Sequence, residues 1–215
     1  MLSRYIALVA IALSCSFHLC ADQDQAAPAQ SYPRIPTAAL DRYQVSVVDE
    51  QVETMSLPRL RLTGRKTLQM DLLADHISVP TAGRCSARFL IEHAPDFKVE
   101  FFAFPTASLG HPLNDDTLNL YLEGLKLRHK PEQAFAILEP SAFTESGRSK
   151  FRILGQRAMT VRYSFKLEDK TVACGENWIE RDGTIYMVRI LAPARTFDIQ
   201  FDDVRGAFNS ITELK

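Results

Sequence analysis

The two alternating runs that meet at Asp182-Gly183 leave this chain less conformational freedom than any other part of it. A two-residue type I′ loop needs positive φ at both central positions, and Asp-Gly supplies them at low cost. With those residues as the loop, the strands Thr171 to Arg181 and Thr184 to Leu191 pair in one register. Trp178 then faces Met187, Ile179 faces Tyr186, and Glu176 faces Arg189. The last pair sets opposite charges across the ladder, which agrees with that register. Upstream, Met159, Val161, Tyr163 and Phe165 alternate with Thr160, Arg162, Ser164 and Lys166, and Glu168-Asp169-Lys170 reads as a turn. A three-stranded antiparallel meander ending at Ala192-Pro193 is expected.

A second strand-rich block precedes it. Ala87, Phe89 and Ile91 alternate with Arg88, Leu90 and Glu92, Ala94-Pro95-Asp96 reads as a turn, and Phe97, Val99, Phe101 and Ala103 resume a period of two. Asn114, Asp115 and Asp116 offer oxygens to cap a helix over Thr117 to Lys130. Leu118, Tyr121, Leu122 and Leu125 form its apolar face, basic residues gather at its far end, and Pro131 stops it. Asp202-Asp203 reads as the start of a terminal helix carrying Val204, Phe208, Ile211 and Leu214. Val45, Val47 and Val52 suggest a further strand, and Asp75 to Pro80 another. The order predicts an α+β fold in which an antiparallel β-sheet is covered by helices.

The amino end reads as export machinery. Arg4, an apolar stretch from Tyr5 to Leu13 and a small residue before a polar run give a cleavable signal peptide over 1–21. A lipid anchor at Cys15 is the variant, since Ala12-Leu13-Ser14-Cys15 loosely resembles a lipoprotein box; cleavage after Ala21 is the favoured reading. Residues 22–39 are rich in Asp, Gln, Ala and Pro and read as a flexible spacer, and 40–215 as a single domain. The near-balance of 25 basic and 26 acidic residues gives no electrostatic reason to expect nucleic acid as partner. Under the favoured cut the cysteines left are Cys85 and Cys174. In an oxidising compartment they are candidates for a disulfide, the alternative being two separate buried thiols.

No motif commits the chain to a chemistry. His76, His93, His111 and His129 lack the spacing of a zinc helix and read as surface or loop residues. There is no Gly-x-Ser-x-Gly elbow, phosphate-binding glycine loop or Cys-x-x-Cys pair, and no catalytic, cofactor or metal residue is assigned. Phe89, Phe97, Phe101, Tyr163, Phe165 and Trp178 read as core, with a ligand groove lined by Trp178 and Tyr186 as the alternative.

The stretch Phe151 to Leu214 resembles the PsbP-like superfamily. The matching features are Ile-Leu-Gly-Gln-Arg-Ala at 153–158, the alternating strand through Tyr163, Asn177-Trp178-Ile179-Glu180 and Asp182-Gly183-Thr184-Ile185-Tyr186. They continue with Ala192-Pro193, Phe197, Phe201 and a closing helix with Phe208. The resemblance implies an α-β-α sandwich and action by binding other proteins. The expected function is an exported, non-enzymatic accessory protein that binds another envelope protein or assembly. The alternative is a small-ligand binder or hydrolase with a cleft between sheet and helices.

Overall fold

The computed structural model describes residues 32–71, 76–79, 84–91, 94–138 and 151–214. The expected signal peptide, Cys15, Cys20, the first part of the spacer, Asp75 and Pro80 lie outside the described residues. In chain order the strands are β1 (Gln44–Val52), β2 (Met55–Thr63), β3 (Thr67–Asp71), β4 (His76–Val79), β5 (Ala87–Ile91) and β6 (Ala94–Pro105). Helix α1 (Asp115–Arg128) comes next, then β7 (Ala136–Ile137), β8 (Arg152–Ile153), β9 (Gln156–Arg157), β10 (Met159–Leu167), β11 (Lys170–Arg181) and β12 (Thr184–Pro193). Helix α2 (Phe197–Asn209) and β13 (Thr212–Leu214) close the chain.

The meander forms in the register that Asp182-Gly183 dictates. Trp178 pairs with Met187, Ile179 with Tyr186 and Glu176 with Arg189, and both loop residues have positive φ, 52° and 71°. It is the middle of a seven-stranded antiparallel sheet of order β4-β5-β6-β12-β11-β10-β7. Because successive side chains alternate between faces, each strand feeds two cores. One face carries Phe89, Phe97, Val99, Phe101, Tyr186, Val188 and Ile190, the other Phe102, Phe104, Tyr163, Cys174, Trp178 and Met187.

The first face is closed by α2 and by a second sheet of order β1-β2-β3-β13, which contributes Leu60, Leu62, Leu68 and Met70. Phe208 of α2 stacks on Phe101 and meets Phe89 edge-on. The second face is covered by α1, whose Tyr121 ring meets Trp178 at 5.3 Å. Asn114 caps α1: its Oδ1 accepts from the Thr117 amide at 2.9 Å.

The structure overturns the expected fold class. Strands in three antiparallel sheets dominate, and among the described residues there are two α-helices, so this is not an α-β-α sandwich in which helices cover the sheet. A sheet takes the place of helices over most of one face. Local boundaries move too. The turn expected at Ala94-Pro95-Asp96 is the start of β6. Helix α2 begins at Phe197 rather than Asp202, because Gly175 leaves bare backbone on which Phe197 and Phe201 sit; a Cβ there would stand 2.9 Å from the Phe197 ring. Leu214 belongs to β13, not to a helix, and pairs with Thr67. The region taken as spacer lies on the domain from Tyr32 onward, with Pro33 buried and Ile35 packed against the α1-side core.

Candidate functional site

On the α1 side of the large sheet, side chains line up in rows that cross the strands. Glu176, Arg189 and Glu100 are cross-strand partners in turn, and Glu100 pairs with Arg88. The row therefore alternates acid, base, acid, base over β11, β12, β6 and β5. Arg189 Nε donates to Glu176 Oε1 at 2.8 Å and its Nη1 to Glu100 Oε2 at 3.3 Å, while Arg88 Nη2 donates to Glu100 Oε1 at 2.7 Å. Glu176 is fully buried at the inner end, and Arg88 at the outer end is the most exposed of the four, at 28%.

Two tyrosine hydroxyls complete the inner end. Tyr121 from α1 and Tyr163 from β10 both donate to Glu176 Oε1, at 3.1 and 3.0 Å. Burial is the main force holding the Tyr121 and Tyr163 phenols well above their ordinary pKa, with the Glu176 charge adding to it, so both remain donors. Burial works most strongly against the Arg189 charge, but Glu176, Tyr121, Tyr163 and Cys174 together outweigh it, so the guanidinium titrates well above its usual range. Arg189 also lies over the Phe102 ring at 4.9 Å. Each charge is thus met by an opposite one, and the row bolts α1 to the sheet through Tyr121.

The next two rows are mainly apolar and lead out from under α1. Phe165, Val172 and Pro193 are cross-strand neighbours, and Leu191 lies beside Lys98. With Leu167 they floor a groove of about 250 Å³ rimmed by Asp96, Lys98, Glu168 and Lys170. His129, just past the end of α1, stacks on Phe135 and meets Phe165, both at 4.9 Å. It lies in the loop after α1, as expected, and its half-buried ring joins this cluster; burial lowers its pKa.

Trp178 and Tyr186 line no common groove, the alternative to the core packing expected of the aromatics. Cross-strand register puts Tyr186 opposite Ile179, so the two rings leave the sheet on opposite faces, and each is fully buried. Cys85 and Cys174 are free, buried thiols. Cys85 adjoins β5 and Cys174 lies in β11, with β6 and β12 between them. Three inter-strand steps of about 4.8 Å each exceed the reach of a disulfide, whose Cα atoms lie about 4.4–6.8 Å apart. Burial pushes both thiols up, which makes them poor nucleophiles. No group of acidic, histidine and cysteine side chains suited to a metal ion occurs among the described residues. Nor does any of their helices have the length and apolarity to cross a membrane.

Glu176 and Arg189 are legible in the sequence as a pair. Their partners Glu100 and Arg88 are not, because finding them needs the β6–β12 and β5–β6 registers, which no turn motif announces, and Tyr121 needs the docking of α1 on the sheet.

No family model matches the chain, and no curated protein matches it. Among solved structures it is similar to LpqN, described as involved in cell envelope biogenesis of Mycobacterium tuberculosis. That likeness has 14% identity and a TM-score of 0.45, and covers 80% of this chain and 92% of that one. It is also similar to PA94 from Pseudomonas aeruginosa, described as a protein of unknown function and putative regulator. There the identity is 10% and the TM-score 0.37, over 77% of this chain and 94% of that one.

Proposed function

We propose that this chain is an exported, non-enzymatic accessory protein that binds another protein of the cell envelope, and that the β1–β2 hairpin is its binding arm. The arm carries the reading. Strands β1 and β2 pair over their full nine residues, from Gln44 with Thr63 to Val52 with Met55, whereas β3 accompanies β2 only from Arg59 to Thr63. Among the described residues, 49–58 therefore form a two-stranded ribbon running past the sheet. Its cross-strand partners place Val52, Met55 and Leu57 on one face, and Val47 stands on the other. Val47 is 57% exposed and Met55 60%.

A two-stranded ribbon is marginal in water by itself, and apolar side chains at its tip add nothing to its stability there. Strand β1 is also the edge of its sheet and contains neither lysine nor proline, the residues that usually guard an edge. Both features fit a surface that is completed by a partner. The reading of residues 1–21 as an export signal supports a partner outside the cytoplasm.

The test is in-cell photo-crosslinking from position 54, an exposed residue of the turn, with the tip variant Val52→Glu/Met55→Glu as control. The double variant should keep its stability within about 0.5 kcal/mol, as surface changes do, and lose the cross-linked species. A cross-link pattern unchanged by the two glutamates overturns the proposal.

A further inference from the structure

The open end of the α1-side face has the shape and charge of a ligand site, and we propose that it binds a small anionic amphiphile: a short acyl chain or single ring bearing one carboxylate. The proposal is independent of the role assigned to the arm.

The apolar part is the groove floored by Phe165, Leu167, Val172, Leu191 and Pro193. These side chains continue the core that α1 covers elsewhere, and among the described residues the cover stops here: Leu167 is 56% exposed, while Phe165, Val172, Leu191 and Pro193 are half-buried. Its volume of about 250 Å³ falls just below the range of about 300–1,000 Å³ of sites for drug-sized ligands, which sets the body at one ring or one short chain.

The polar part lies over the end of the same strands. A second hollow of about 440 Å³ is lined by Asp96, Lys170, Thr171, Pro193, Ala194 and Arg195, and shares Asp96, Lys170 and Pro193 with the groove. Lys170 Nζ meets Asp96 at 3.0 Å on the shared boundary. Both partners are well exposed, at 69% and 59%, so the pair contributes little and opens readily. Across the two hollows, Lys98, Lys170 and Arg195 outnumber Asp96 and Glu168. An incoming carboxylate replaces Asp96 on Lys170 and gains Arg195 as a second cation, a charge-assisted arrangement, while its chain covers Leu191 and Phe165. A cationic amphiphile has the wrong sign for that head position, and a neutral one leaves it unused.

The experiment is titration of the full domain with octanoate, read by amide chemical shifts, alongside octyltrimethylammonium and phosphatidylglycerol vesicles. Octanoate is expected to shift the amides of 165–172 and 191–195 saturably, with a Kd on the order of 0.1–1 mM. The head variant Lys170→Glu and the floor variant Leu167→Glu, both at exposed positions and so folding normally, should each weaken it about tenfold. Three results each overturn the proposal: no saturable shift up to about 5 mM, equal binding of octyltrimethylammonium, or binding of vesicles without binding of octanoate.

Discussion

Replacing Glu176 by glutamine tests whether the charge row is a coupled unit or a set of separate contacts. Glutamine keeps an acceptor for Tyr121 and Tyr163, so the change removes charge and little else. Arg189 is then left with Glu100 at 3.3 Å, its side chain only 20% exposed. Breaking a buried pair from one side costs about 3–5 kcal/mol; the remaining carboxylate sets the expectation at about 3. Arg189→Met strands the fully buried Glu176 with two hydroxyls for company, again at about 3–4 kcal/mol. In the double variant no unmatched charge remains at either position: Glu100 keeps Arg88, and methionine retains the stem that packs on Phe102. Its cost should be about 3 kcal/mol rather than the sum of about 6–7, a coupling of roughly 3 kcal/mol. Urea unfolding followed by Trp178, the single tryptophan and fully buried, reads all three. At about 2–4 °C per kcal/mol for a domain of this size, the Glu176→Gln variant melts about 6–12 °C below the parent. Additivity of the two single changes within about 0.5 kcal/mol would refute the coupled row.

The same cores support two further expectations. Gly175→Ala should destabilise by about 1–3 kcal/mol through overpacking, since its Cβ would stand 2.9 and 3.1 Å from the Phe197 and Phe201 rings; a variant as stable as the parent in urea would mean that α2 does not sit there. Burial raises the phenol pKa of Tyr43, Tyr121, Tyr163 and Tyr186. The folded values lie above the unfolded value of about 10, so this part of the stability is complete below that pH and is lost as pH climbs toward the folded values. Absorbance at alkaline pH should show these phenols ionising together with unfolding; four phenols titrating near pH 10 in folded protein would contradict the burial.

How much of the fold was legible in the sequence depended on whether a turn carried a local mark. Asp182-Gly183 did, and the whole β11–β12 register came with it, Glu176 against Arg189 included. The β1–β2 turn did not: Glu53 there takes a φ of 55° without being glycine or asparagine, so Val45, Val47 and Val52 pointed to a strand but not to its partner. The helix α1 was legible from Asn114 and the 3–4 spacing of Leu118, Tyr121, Leu122 and Leu125. Helix α2 was legible only in its second half, because its start is fixed by aromatic rings seated on Gly175, a tertiary fact. Leu214 shows how period misleads: it continues the spacing of Val204, Phe208 and Ile211, yet Ser210 ends the helix and β3 recruits Thr212 to Leu214 as a strand. The candidate groove was out of reach, since its walls come from β6, β10, β11 and β12 and exist only once those strands are side by side.

The pairing of β13 with β3 has a consequence for biosynthesis. Thr212 reaches back to Gln69 across 143 residues of chain, and Ser210 Oγ accepts from the Asp71 amide. A polypeptide leaves a ribosome or a translocation pore amino end first, so β1 to β3 emerge early with Leu60, Leu62, Leu68 and Met70 lacking their opposite wall. At about 5–20 residues per second, β13 arrives beside β3 on the order of ten seconds later. Until then that edge of β3 has no strand to pair with. Deleting Thr212 to Leu214 would therefore cost more than three side chains, because it reopens that edge.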